Sequence, residues 1–172
     1  MALTQPIKGA RRITLLALLT AIALTIFMVE AQIPVPIAVP GVKLGLANIV
    51  TVYAVFLLGP ADALLILCAR VFLGAVFSGQ MMTLLYSAGG GLLAWIVMVL
   101  LSKLLTRQQI WLCSPVAAVF HNIGQLTVAA GVLKSWAVMA YLPYLLLSGV
   151  VTGFFTGWCA QFLIAHLDKL KR

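Results

Sequence analysis

The chain has 172 residues, of which 64% are hydrophobic and 8% charged, and a formal net charge of +8 at pH 7. That balance excludes a water-soluble domain; at about 20 apolar residues per crossing, the length accommodates roughly six transmembrane helices and leaves no room for a soluble catalytic domain. The eleven Lys and Arg residues are scattered between hydrophobic runs rather than gathered on a nucleic-acid-binding face, and the three acidic residues, Glu30, Asp62 and Asp168, lie too far apart for a clustered Asp-rich magnesium diphosphate motif or a calcium site.

The first apolar run, 13–29, follows Lys8, Arg11 and Arg12 and ends at Glu30. Its basic start and Val29-Glu30-Ala31 imitate a signal peptide. The run is long for a signal core, however, and the chain after it is itself multi-spanning, so a retained helix is expected. Ala17 and Ala21 lie one turn apart on this helix, a small-residue stripe suited either to close packing within the bundle or to docking of another membrane subunit. Pro34, Pro36 and Pro40 then remove backbone donors and impose an extended, structured loop up to Lys43.

The second run, 46–58, ends at Gly59-Pro60 and is short for a full crossing, which leaves a tilted span, a span extended by the loop, or a re-entrant segment. The third, 61–77, carries Arg70 near its middle. A charge at that depth costs at least about 2.5 kcal/mol on an insertion scale, so Arg70 must face protein or water. A structural pair and a ligand contact are equally open. The fourth run, 82–101, contains Gly89-Gly90-Gly91, a signature of a bend, a helix interruption or very close approach.

The fifth run, 113–133, holds His121, Asn122 and Gln125, the densest polar cluster in any span. His121 and Gln125 share a helix face one turn apart, and Asn122 neighbours Gln125 at three-residue spacing. Together they offer several donors and acceptors to one ligand, which favours a binding cavity over packing alone. No carboxylate or second His shares the face, so neither a metal site nor a cofactor is expected. The sixth run, 137–164, carries a second small-residue stripe, Gly149, Gly153 and Gly157, with the same two readings as the first. Trp111 and Trp136 flank span ends, as interfacial anchors or as packing residues. Cys68, Cys113 and Cys159 lack CxxC spacing and read as ordinary buried thiols.

The expected fold is all-α: a polytopic membrane protein forming a six-transmembrane-helix bundle, with 1–172 a single membrane domain. Placing the amino terminus in the cytoplasm puts Lys8, Arg11, Arg12, Lys103, Arg107, Lys169, Lys171 and Arg172 inside, against Lys43 and Lys134 outside. The bias makes both termini cytoplasmic and turns the Pro-rich loop outward. Glu30, Lys43 and Asn48 then lie near the outer ends of the first two helices. They form either an exposed Glu30–Lys43 pair of little energetic worth or the rim of an outward pocket floored by His121 and Arg70.

Two segments, Pro40-Gly41-Val42-Lys43-Leu44-Gly45-Leu46-Ala47-Asn48-Ile49-Val50 and Val119-Phe120-His121-Asn122-Ile123-Gly124-Gln125-Leu126, together with the surroundings of Arg70, resemble bacterial membrane proteins of the Gx transporter family, also described as heptaprenyl diphosphate synthase component I. That family is similar to the substrate-binding S components of energy-coupling-factor transporters. The resemblance implies a six-helix protein of the bacterial inner (cytoplasmic) membrane that captures a small vitamin-like or other small organic molecule near the outer surface. A transmembrane coupling subunit and two ATPase subunits would supply energy, and the whole unit would topple to expose its pocket inward.

The same resemblance sets Ala17 and Ala21 against the coupling subunit and gives the outward loop a part in closing the pocket. No GxxxxGK[ST] motif is present, so ATP would be hydrolysed by the partners. The competing description, a membrane accessory of isoprenoid diphosphate or quinone metabolism, would be noncatalytic, because the resembled synthases use paired Asp-rich motifs and only Asp62 and Asp168 are present. A third reading, a structural subunit of a larger complex, accounts for the stripes but not for the buried polar residues. Lys43 and Arg70 against Glu30 favour an anionic or strongly hydrogen-bonding ligand group on an apolar or aromatic body. Flavin-like, isoprenoid-like and vitamin-like compounds all satisfy that description.

Overall fold

A computed structural model describes residues 9–32 and 45–170, without the side chains of Arg107 and 167–170; Lys43 and the prolines before it lie outside the described residues. Within that range the chain forms α1 (Ala10–Glu30), α2 (Asn48–Leu57), α3 (Pro60–Ser78), α4 (Met81–Leu104), α5 (Ile110–Leu133) and α6 (Leu142–Leu170). Short 3-10 segments at Arg107–Gln109 and Trp136–Tyr141 lead into α5 and α6. Among the described residues five stretches, α1, α3, α4, α5 and Trp136–His166, are long and apolar enough to cross a membrane, and the protein is a multi-pass membrane protein. The second run forms the helix α2 of ten residues, which at the helical rise reaches about 15 Å, half of a hydrocarbon core of about 30 Å.

Local chemistry sets the boundaries. Gly59 turns the chain at φ +105°, Pro60 occupies the first helical position of α3, and Asp62 lies in its first turn. Gly79 ends α3 in the left-handed conformation. Thr106 and Gln109 close a reciprocal capping box before α5. The Gly89-Gly90-Gly91 run does not interrupt α4, which is one continuous helix. A Cβ on Gly90 would lie 2.7 Å from the His121 carbonyl oxygen, and one on Gly124 would lie 2.7 Å from the Gly89 carbonyl oxygen, so the missing side chains bring the backbones of α4 and α5 together.

Successive helices run antiparallel. Arg12 forms an exposed ion pair with Asp62, Trp95 Nε1 donates to the Pro60 carbonyl, and the Trp111 backbone N–H donates to Gln161 Oε1. These contacts gather the start of α1, the α2–α3 turn, the end of α4, the start of α5 and the last third of α6 at one end of the bundle. Arg11, Arg12, Lys103 and Lys169 belong to helix segments at that end, whereas Lys134 follows α5 at the other.

Two apolar clusters fill the interior. One, around Val52, Val55, Ile66, Met98, Ile110 and Ala117, lies toward the basic end. The other joins Tyr86, Leu126, Ala129, Val138 and Leu145 toward the opposite end. The α6 glycines pack inside: a Cβ on Gly153 would lie 2.5 Å from Pro115 Cα, and Gly149 and Gly157 abut Asn122 and Trp111. Ala17 and Ala21 instead lie on the exposed face of α1. The reading of all three cysteines as buried thiols is corrected at Cys68, which faces outward from α3, and at Cys159, which is partly exposed.

Candidate functional site

Between the two apolar clusters the bundle encloses polar side chains from four helices. Glu30, Asn48, Arg70 and His121 are each at most 4% exposed. Arg70 and His121 sit near the middle of α3 and α5. The half-length of α2 brings Asn48, its first residue, down to the same depth, and α2 supplies a helix start within the bundle.

Gly45 makes that entry possible. Its φ of +85° is a left-handed conformation that suits glycine, and its backbone N–H donates to Glu30 Oε1 at 2.5 Å. A Cβ here would lie 3.0 Å from Asn48 Nδ2 and 3.2 Å from His121 Cδ2. Asn48 and His121 thus meet across its bare α-carbon. On its other side the imidazole faces Gly90, where a Cβ would come within 3.1 Å of His121 Cε1.

Arg70 lies over an aromatic ring. The guanidinium carbon lies 5.7 Å from the centroid of the Phe27 ring, a cation–π arrangement. Phe27 fills the space above Gly74, one turn further along α3. Glu30 lies near enough to act on the charge of Arg70, and Arg70 in turn acts on His121, so the three groups share one electrostatic environment.

Four buried atoms in this cluster lack a hydrogen-bond partner: Asn48 Nδ2, Arg70 Nε, Arg70 Nη2 and His121 Nδ1. A buried polar atom left in this state costs about 1–3 kcal/mol, and more when its group is charged. Purely structural polar seams seldom keep such atoms. Among the described residues no three His, Cys, Asp or Glu side chains come together as metal ligands, and His121 has guanidinium and amide neighbours instead.

The cluster of three polar residues on α5, His121, Asn122 and Gln125, is divided. Asn122 points toward α6 and donates through Nδ2 to the Leu145 carbonyl at 2.6 Å, while Gln125 Nε2 reaches Asn122 Oδ1 at 3.5 Å. Gln125 also packs its stem against Gly90. The structure therefore brings together Glu30, Asn48, Arg70 and His121, and sets Asn122 at the α5–α6 seam with Gln125 between. Glu30 is interior rather than part of an exposed rim, and Lys43 lies outside the described residues. Gly45, Phe27 and Gly90 were not singled out as site residues from the sequence. A glycine three residues before a helix and an aromatic one turn ahead of a glutamate in an apolar run were the available signals.

The family model for heptaprenyl diphosphate synthase component I matches residues 19–163, a stretch that contains every residue of this cluster, and the chain belongs to that family. No curated protein and no solved structure matches it.

Proposed function

We propose that the chain is the substrate-binding membrane subunit, an S component, of an energy-coupling-factor uptake transporter for a small organic molecule. The observation that carries this reading is the set of sealed, unpartnered polar atoms on Asn48, Arg70 and His121. Their uncompensated burial makes sense where a solute completes the hydrogen bonds. The site lies at mid-depth between apolar clusters, where a captured molecule would be shielded from water and lipid alike.

The exposed Ala17 and Ala21 stripe offers a coupling subunit a close approach to α1. Two ATPases bound to that subunit would supply the energy. In this reading the end bearing Arg11, Arg12 and Lys103 faces the cytoplasm of a bacterial inner membrane, and the solute enters from the other end.

The family description favours a second reading, a noncatalytic membrane accessory to a prenyl diphosphate synthase. That reading assigns no task to the buried donors. Isolation of the tagged chain from its native membrane in mild detergent separates the two. The transporter reading expects a membrane coupling protein and two P-loop ATPases in the isolate, and a soluble prenyl synthase subunit in their place would overturn it.

A further inference from the structure

We infer that the molecule held at this site carries a carboxylate or phosphate, and that this oxyanion docks side-on against Arg70. The inference deepens the solute-binding reading and rests on it. The two unpartnered guanidinium nitrogens are Nε and Nη2, which share one edge of the planar group and direct parallel N–H bonds outward. That spacing matches two oxygens of a carboxylate or phosphate. The guanidinium carbon lies over the Phe27 ring, and no group of the chain hydrogen-bonds to the Nε–Nη2 edge.

The other groups agree in sign. Asn48 Nδ2 can only donate, so three of the four unpartnered atoms are obligate donors. His121 Nδ1 either donates or accepts according to its tautomer. An acceptor-rich headgroup satisfies such a set, whereas an ammonium group would set donors against donors. Glu30 does not complete the site by itself: it accepts the Gly45 N–H and lies near Arg70, and the Nε–Nη2 edge stays unfilled.

The test uses the full chain purified from its native membrane in mild detergent, with small molecules extracted and identified by mass and phosphorus content. The expected result is about one carboxylate- or phosphate-bearing molecule per chain, with phosphorus deciding between them. Arg70→Gln should lower its retention roughly ten- to hundredfold. Asn48→Asp, nearly isosteric, should do likewise by setting a negative charge against the ligand, and it keeps the test decisive if the Arg70 variant does not fold.

A neutral or cationic ligand in the wild type, or an oxyanion ligand retained undiminished in Asn48→Asp and in any folded Arg70→Gln, overturns the inference and leaves solute binding standing. If the wild type arrives empty, its melting temperature is read with hexanoate, hexyl phosphate, hexylamine and hexanol. Stabilisation by either anion above the other two supports the inference. Equal or greater stabilisation by the amine or alcohol overturns it, and no stabilisation by any of the four overturns the solute-binding reading with it.

Discussion

Phe27 and Gly74 are fitted to each other: the Phe27 ring occupies the volume that a side chain on Gly74 would need, with a Cβ there only 2.6 Å from ring atom Cε1. This fit seats the ring beside Arg70, so a packing contact between α1 and α3 also positions the one charge buried in α3.

Replacing Gly74 with Ala should therefore displace Phe27, at a cost of about 1–3 kcal/mol for overpacking. Phe27→Leu should relieve part of that cost. Thermal unfolding of the two single variants and the double variant in detergent should give a non-additive cycle, and additive effects would mean that the two residues are not coupled.

Gly45→Ala should weaken the site more than the fold. The left-handed conformation costs a non-glycine residue about 1–2 kcal/mol, and the new methyl presses on Asn48 and His121. Solute retention per folded chain should fall sharply, while far-ultraviolet circular dichroism stays helical. Unchanged retention would remove Gly45 from the site.

The two small-residue stripes should respond in opposite ways. Leu at both Ala17 and Ala21, on an exposed face, should shift stability by no more than about 0.5 kcal/mol yet prevent co-isolation of the coupling subunit. Gly153→Ala should leave that face intact but drive a methyl into the Pro115 backbone, lowering the melting temperature through a cost of about 1–3 kcal/mol. Intact assembly of the double Leu variant would exclude α1 as the docking helix.

Asn122→Ala should act on the α5–α6 seam. It removes the donor to the Leu145 carbonyl, a loss of about 0.5–1.5 kcal/mol or somewhat more if the acceptor is left bare. Calorimetry should register that loss, whereas solute retention per folded chain should stay within about twofold, since a difference of 1.4 kcal/mol would be tenfold. Loss of retention without loss of stability would place Asn122 on the ligand.

Much of the architecture was legible because helices in this chain are bounded by Gly59-Pro60 and Gly79, residues whose backbone preferences act locally. The short second run was visible as short, but only tertiary contact decides that a ten-residue helix starts at half depth beside His121. The site was partly legible for the same reason. Arg70 and His121 announce themselves as polar groups in apolar runs, whereas the helix rotation that sends Asn122 to α6 and His121 toward Gly45 and Gly90 is set by glycine contacts between helices. Periodicity gave His121 and Gln125 a common face and could not name the neighbours across it. The α6 glycines and the α1 alanines carry the same spacing, and only packing separates an inward stripe from an outward one.

The most direct test of the solute-binding account is an experimental density map of the full chain extracted with its native contents, read at the Nε–Nη2 edge of Arg70. Non-protein density within hydrogen-bonding distance of that edge and of Asn48 Nδ2 is the expected result. An edge bonded to the chain's own groups, packed tightly with no foreign molecule beside Asn48 or His121, would contradict the account.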